Sequence, residues 1–196
     1  MKHLLITGFD PFGGETVNPS WEAVRRLPDA VGQYRLTKLQ IPTVFSAAAD
    51  TVLATAKADK PDVILCIGQA GGRDAVTPER IAVNIASAKT PDNAGNLPVE
   101  APIDPAGPDG IFATVPVVAI AEAIIAAGLP GKISNTAGTY VCNDTLYRLL
   151  RHYAGTSVKV GFIHVPCLPE QAAAGAPSMT LEEIIAALTA AVGSLK

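Results

Sequence analysis

The chain has 196 residues, with 15 Lys plus Arg against 18 Asp plus Glu and a net charge of −3 when its histidines are neutral. That balance excludes a basic, phosphate-seeking nucleic-acid binder, and 48% hydrophobic content excludes a disordered chain and is ample for one well-buried core. The longest apolar stretch, residues 115–128, carries Pro116 and Glu122 and is shorter than the roughly 20 residues a membrane span needs, so no membrane partner is expected.

Short apolar runs alternate with amphipathic segments along the chain. The first strand is expected at 4–7, after an N-terminus whose apolar run is too short for a secretory leader. It exits into Gly8-Phe9-Asp10-Pro11-Phe12-Gly13-Gly14, a turn-rich loop that displays two aromatic rings. Asn18-Pro19 opens a helix over 19–27, an N-cap followed by proline at the first helical position. A strand at 34–40 and a helix at 43–58 follow, then a strand at 63–67 that exits into Gly68-Gln69-Ala70-Gly71-Gly72, where small residues let a ligand approach the backbone.

Further along, a strand is expected at 81–85. It leads into a stretch at about 90–110, dense in Pro, Gly, Asp and Asn, that is long for a connection inside a compact domain. A helix at 116–127, opened by Pro116 and closed by Gly128, precedes strands at 132–134 and 158–164 with a helix at 143–153 between them. The last helix, 180–192, pairs Thr180 with Glu183 at capping-box spacing and carries one apolar stripe. This order predicts a single α/β domain over 1–196: a mostly parallel twisted sheet with helices on both faces, a phosphorylase/hydrolase-like three-layer sandwich.

In such sheets ligands bind beyond the carboxyl ends of the strands, so the segments leaving each strand are the candidates. Cys142 stands directly before a helical pattern, where the helix dipole and free N–H groups stabilise a thiolate or a developing oxyanion. His164 ends the last strand on the same edge and is the candidate base for that thiol. Glu79, in Thr77-Pro78-Glu79-Arg80, is the candidate third residue that orients the histidine. Cys66 lies inside an apolar run and reads as structural, Cys167 is ambiguous, and His3 and His152 read as surface groups. Three cysteines, irregularly spaced, suit a reducing cytoplasm and form no CxxC metal clasp.

The segments Gly68 to Gly72, Thr77 to Asn84, Ala137 to Asn143 and His164-Val165-Pro166 together resemble the pyroglutamyl peptidases of type I, the pyrrolidone-carboxylate peptidases. Thr7 to Gly14 and Pro91 to Asn96 look similar too, so the resemblance runs from residue 4 to about residue 171. It implies a cytoplasmic thiol exopeptidase that removes N-terminal pyroglutamate from peptides, without a metal or other cofactor, as a homo-oligomer and by expectation a homotetramer. By position in the motifs, the nucleophile falls on Cys142, its base on His164 and the orienting acid on Glu79. The pyroglutamate pocket falls on Phe9, Phe12, Asn18, Gln69 and Val141. Where an arginine is expected near the reacting carbonyl this chain has Lys89, which offers the charge without the two-pronged donor geometry.

The residues accept such a substrate. Pyroglutamate is a flat neutral lactam, which calls for apolar walls and a few directed hydrogen bonds. Phe9 and Phe12 can supply walls, and Gln69 can read the lactam polar groups. Asn18 has an equal claim as helix cap, and the rings of Phe9 and Phe12 have a lesser claim as ordinary core aromatics. Two other readings stand beside this one: a nucleoside phosphorylase-like enzyme using the glycine-rich loops as anion cradles, and a non-catalytic binding protein on the same scaffold. The loop at 8–14 lacks both dinucleotide and P-loop glycine spacing, and neither reading has a use for Cys142.

Overall fold

A computed structural model describes residues 1–195. Three largely apolar runs become the central strands: β1 (Lys2–Phe9), β4 (Val63–Gln69) and β8 (Lys159–Val165). Strands covered on both faces read as continuous hydrophobic runs rather than alternating ones, and these three are buried along nearly their whole length. They join β2 (Ala30–Val31), β3 (Tyr34–Ile41) and β5 (Thr77–Pro78) in one six-stranded sheet of order β2-β3-β1-β4-β8-β5. The four central strands are parallel, and the short edges β2 and β5 run antiparallel to their neighbours.

Helices cover both faces. On one side α1 (Pro19–Arg26), α3 (Val117–Ala126) and α5 (Leu181–Gly193) close over Leu4, Ile6, Val63, Leu65, Ile67 and Val165. On the other, α2 (Ala47–Asp59) and α4 (Val141–His152) cover Leu5, Phe9, Ile64, Cys66, Val160 and Phe162. Gly8 is required where α1 crosses β1, because a Cβ there would stand 2.5 Å from the Trp21 Cα. The α/β sandwich with a mostly parallel sheet is the architecture expected. β3 lies on one side of β1 and β4 on the other, so the chain reverses its direction of winding there. That reversal opens a crevice at the carboxyl ends of β1 and β4.

Several elements differ from the sequence expectation. The strand expected at 81–85 is β6 (Ile81–Val83), and it pairs antiparallel with β7 (Gly110–Phe112) in a separate two-stranded sheet. The long loop is therefore the far end of a hairpin, tied down where Asn84 exchanges hydrogen bonds with the Asp104 backbone (2.7 and 2.9 Å). The strand expected at 132–134 is reduced to two isolated bridges, Val76 with Gly131 and Glu79 with Ser134. Pro78 lies between those pairings and has no N–H to continue the ladder. The helix expected from 43 starts at Ala47, after Ser46 at a φ of 62°. His3 is not a surface group: it is 4% exposed, with Nδ1 on the Asp59 carbonyl (3.0 Å) and Nε2 on Thr37 Oγ1 (2.8 Å). A strand covered on both faces has no solvent face, so its polar residue finds partners instead.

The α5 capping box is formed in full: Thr180 Oγ1 accepts from Glu183 N–H (3.3 Å) and Glu183 Oε2 accepts from Thr180 N–H (2.8 Å). Thr180→Ala should lower the unfolding free energy by about 1 kcal/mol, read as a lower urea midpoint at unchanged m-value. An unchanged midpoint would show that packing alone fixes the start of α5.

Candidate active site

The site forms at the carboxyl ends of β4 and β8, on the face that α4 covers. His164 is the next-to-last residue of β8, with Gly68 of β4 opposite it on one side and Thr77 of β5 on the other. Its ring stacks at a tilt on Phe162 (centroids 4.8 Å) and is 3% exposed. Its Nδ1 lies 2.7 Å from Glu79 Oε1. A carboxylate can only accept, so the proton sits on Nδ1 and Nε2 is left as the basic nitrogen.

Glu79 is held from both directions along the chain. Its N–H donates to the Phe162 carbonyl (2.9 Å), and the following Arg80 N–H donates to the Ser134 carbonyl (2.8 Å). The side chain is 0% exposed. Oε1 also receives the Arg73 guanidinium (2.7 Å), while Oε2 is buried without a hydrogen bond. Arg73, absent from the sequence candidates, further donates to Thr77 Oγ1 and to the Thr136 carbonyl (3.1 Å).

Cys142 is the second residue of α4, because the helix starts two residues earlier than the sequence pattern indicated. The first helical hydrogen bond of α4 runs from Asp144 N–H to the Tyr140 carbonyl (3.1 Å), and no side chain caps the helix. The N–H groups of the first turn are thus open to a developing negative charge. The sulfur lies over Gly68, where a Cβ would stand 3.0 Å from Sγ and 2.8 Å from the Phe162 ring. Glycine at 68 thus lets the thiol settle beside the strand position that faces His164. No hydrogen bond joins Cys142 to His164 among the described residues, and such contacts tighten when substrate arrives.

Burial favours the neutral form of both groups. Burial pushes the Cys142 thiol up, to about 12, with the charge of Glu79 adding to the rise and that of Arg73 opposing it. Burial also lowers the His164 imidazole, against the hydrogen bond and charge of Glu79. Such a pair suits proton transfer from thiol to imidazole as a bond forms at sulfur.

The remaining candidates separate. Tyr140, two residues before Cys142, packs against Phe12 (6.4 Å) and Phe45 (5.3 Å), which brings Phe12 to the mouth of the site. Phe9 is 2% exposed and packs behind on Phe162 (6.1 Å). The Val141 side chain is fully buried in the core beneath α4. Gln69 ends β4 beside the site; its Nε2 donates to Cys167 Sγ (3.2 Å) while its Oε1 is buried with no partner. Asn18 is occupied as the α1 cap: Oδ1 accepts from Ser20 N–H (3.0 Å) and Nδ2 donates to the Asp10 carbonyl (2.9 Å). Lys89 is exposed and has no hydrogen bond or ion pair among the described residues, although the backbone at Ser87 bonds to Thr139 (2.9 Å) in the approach to α4. Cys66 is fully buried in the core. Among the described residues no group of three or more His, Cys, Asp or Glu is placed to hold a metal, and no helix is long and apolar enough to cross a membrane.

Comparison with known proteins gives a consistent result. Residues 2–196 match the family described as pyroglutamyl peptidase. A pyrrolidone-carboxylate peptidase of Levilactobacillus brevis is 50% identical over 98% of this chain and 96% of its own. One from Escherichia fergusonii is 48% identical over 98% and 92%. Among solved structures, pyroglutamyl peptidase I of Bacillus amyloliquefaciens superposes with a TM-score of 0.95 at 45% identity, covering 99% of this chain and 96% of that one. The pyrrolidone carboxyl peptidase of Thermococcus litoralis gives 0.93 at 36% identity, covering 99% and 93%.

Gly68→Ala tests the close approach. Either the sulfur or the Phe162 ring must move, and displacement of about 1 Å at a reacting group costs about 10²-fold. Alkylation of Cys142 by iodoacetamide should slow by about 10-fold or more with circular dichroism unchanged. An unaltered alkylation rate would show that the thiol does not depend on this contact.

Proposed function

The chain belongs to the pyroglutamyl peptidase family, and on that premise we propose that it hydrolyses the bond after an N-terminal pyroglutamyl residue of peptides through a thioester on Cys142. The observation that carries the reading is the ordered line Glu79 Oε1, His164 Nδ1, with Nε2 left free and Cys142 Sγ beside Gly68. Neither a phosphorylase nor a simple binding protein has a use for that arrangement, and the family excludes both. The whole chain is read as one catalytic unit.

In the first half-reaction His164 Nε2 takes the thiol proton as Sγ attacks the pyroglutamyl carbonyl, and charge builds on its oxygen. The first-turn N–H groups of α4 face that charge. Collapse expels the peptide amine, which receives the proton from His164 and leaves a pyroglutamyl thioester. In the second half-reaction a water gives its proton to His164 and attacks the thioester; the thiol leaves, is reprotonated and frees pyroglutamate. Glu79 holds the imidazole in one tautomer and stabilises the imidazolium that forms twice per cycle.

The pocket reading rests on chemistry that suits a neutral lactam. The buried, unpartnered Oε1 of Gln69 supplies an acceptor of the kind a lactam N–H needs, Phe12 supplies an apolar wall at the mouth, and Phe9 and Val141 form the packed floor. Asn18 serves the pocket chiefly by fixing α1 against the loop after β1. Two finer readings accompany this one. A cytoplasmic location is supported by three free cysteines. Homo-oligomer formation is supported by the exposed side chains of Ile85, Leu97 and Val99 on the long hairpin and of Phe112 beside it.

Cys142→Ala should abolish release of a chromophore from a pyroglutamyl amide, a loss on the order of 10⁴-fold or more, whereas Cys167→Ser should retain most of the rate. His164→Ala should approach the Cys142→Ala level, and Glu79→Gln should leave measurable turnover. Substrate-protectable alkylation at Cys167 instead of Cys142 would overturn the assignment.

Lys89 is proposed as a second donor to the oxyanion, reaching over from the hairpin edge. Lys89→Ala should then lower kcat by about 10- to 10³-fold with little change in KM, because the contact exists mainly in the transition state. Lys89→Arg should keep or raise kcat. Wild-type kcat in Lys89→Ala would leave the α4 N–H groups as the main donors.

A further inference from the structure

A carboxylate with no solvent exposure needs its charge balanced close by. Glu79 meets that condition in an asymmetric way. One oxygen accepts from both His164 Nδ1 and the Arg73 guanidinium, at 2.7 Å each, and the other oxygen has no hydrogen bond. Arg73 comes from the loop after β4, and its side chain is 26% exposed, so it reaches the buried acid from the solvent side. Its other bonds, to Thr77 Oγ1 and the Thr136 carbonyl, set the direction of the fork.

We propose that Arg73 is a positioning residue of this site: by sharing the Glu79 oxygen that receives His164 Nδ1–H, it balances the buried charge and leaves His164 neutral at rest, with Nε2 free for the Cys142 proton. The proposal rests on the reading of Cys142 and His164 as nucleophile and base. Without a second cation, a buried carboxylate 2.7 Å from an imidazole raises the imidazole's affinity for a second proton, so the free base is present over a narrower pH range. With Arg73 present the charge of Glu79 is already met. Arg73 thereby separates two effects of one carboxylate, keeping its orienting hydrogen bond while weakening its electrostatic pull on protons at His164.

The groups that face His164 are few. Glu79 follows β5, Arg73 enters from the loop after β4, Cys142 comes from α4, and β4 presents Gly68, which carries no side chain. The charge of Arg73 acts in the same direction as burial at His164, lowering it, and also lowers Cys142 against the rise imposed by Glu79. Geometry and charge thus agree: the guanidinium favours neutral imidazole and eases thiol ionisation.

The test is the pH dependence of kcat/KM on a pyroglutamyl amide, with the His164 imidazole titration followed by NMR in the same intact proteins. Arg73→Gln removes the cation and keeps a hydrogen-bond donor; its acid limb and its His164 titration should both rise by about 1 pH unit or more, the size expected when one close charge is removed. Arg73→Lys keeps a cation for Glu79 while giving up the fork's second prong to the Thr136 carbonyl, so both should stay within a few tenths of a unit of the unmodified protein. Loss of activity in Arg73→Gln with limb and titration unmoved would make Arg73 a loop staple and overturn the proposal. A full-unit rise in Arg73→Lys would overturn it as well, and that arm stands even if Arg73→Gln does not fold. Because NMR reads the proton on His164 directly, a protein inactive on pyroglutamyl amides would sink the substrate reading while still judging Arg73.

Discussion

The structure of this site depends on one buried negative charge. Glu79 has no solvent to ionise into, so everything around it is arranged to keep a carboxylate there and to make use of it. The β5 edge runs antiparallel on β8 to bring Glu79 beside His164, residues 131–136 bridge to that edge from outside, and Arg73 closes it from the loop after β4. None of those three segments has much regular secondary structure. They are held by the hydrogen bonds that also hold the acid, so local order and charge placement are the same interactions.

The second constraint is steric. A thiol on the first turn of α4 can meet a histidine on β8 only if the strand between them and the helix carries no side chain at that point, and Gly68 satisfies this. The sheet reverses its winding between β1 and β4, which leaves room above their ends for the loop after β1 and its Phe12. Asn143, next to the thiol, is fully buried and ties α4 to β6 through Val83 N–H (2.9 Å) and the carbonyls of Val83 and Ile85 (2.9 and 3.0 Å). The helix therefore cannot slide or turn without breaking three hydrogen bonds. In the proposed mechanism the thiol and imidazole start neutral and close by, and proton transfer coincides with attack.

The central strands are legible because burial on both faces writes itself as continuous apolar runs, and the gathering of Cys142, His164 and Glu79 at one sheet edge is legible because they stand at strand and helix ends. What escaped the sequence was set by partners far along the chain. Arg73 looks like any charged residue in a glycine-rich loop until the fold brings it to Glu79. The run at 132–134 has strand composition, yet Pro78 on the opposing segment denies it a continuous ladder, a fact that no local pattern around 132–134 contains. β6 was found as a strand but misplaced, since only pairing with β7 across the long excursion shows that it leaves the main sheet. His3 was misread because a polar residue at a strand start is ambiguous until Thr37 and Asp59 are seen to receive it.

The account stands on a resting histidine that is neutral, carries its proton on Nδ1 toward Glu79 and offers a bare Nε2 to a protonated thiol. The 15N chemical shifts of the His164 imidazole at neutral pH measure this directly, in protein labelled at histidine and assigned by comparison with His164→Ala. The account predicts one pyrrole-type nitrogen, assigned to Nδ1, and one imine-type nitrogen, assigned to Nε2. Two protonated nitrogens, the signature of an imidazolium paired with a stored thiolate, or a proton on Nε2 in place of Nδ1, would contradict it.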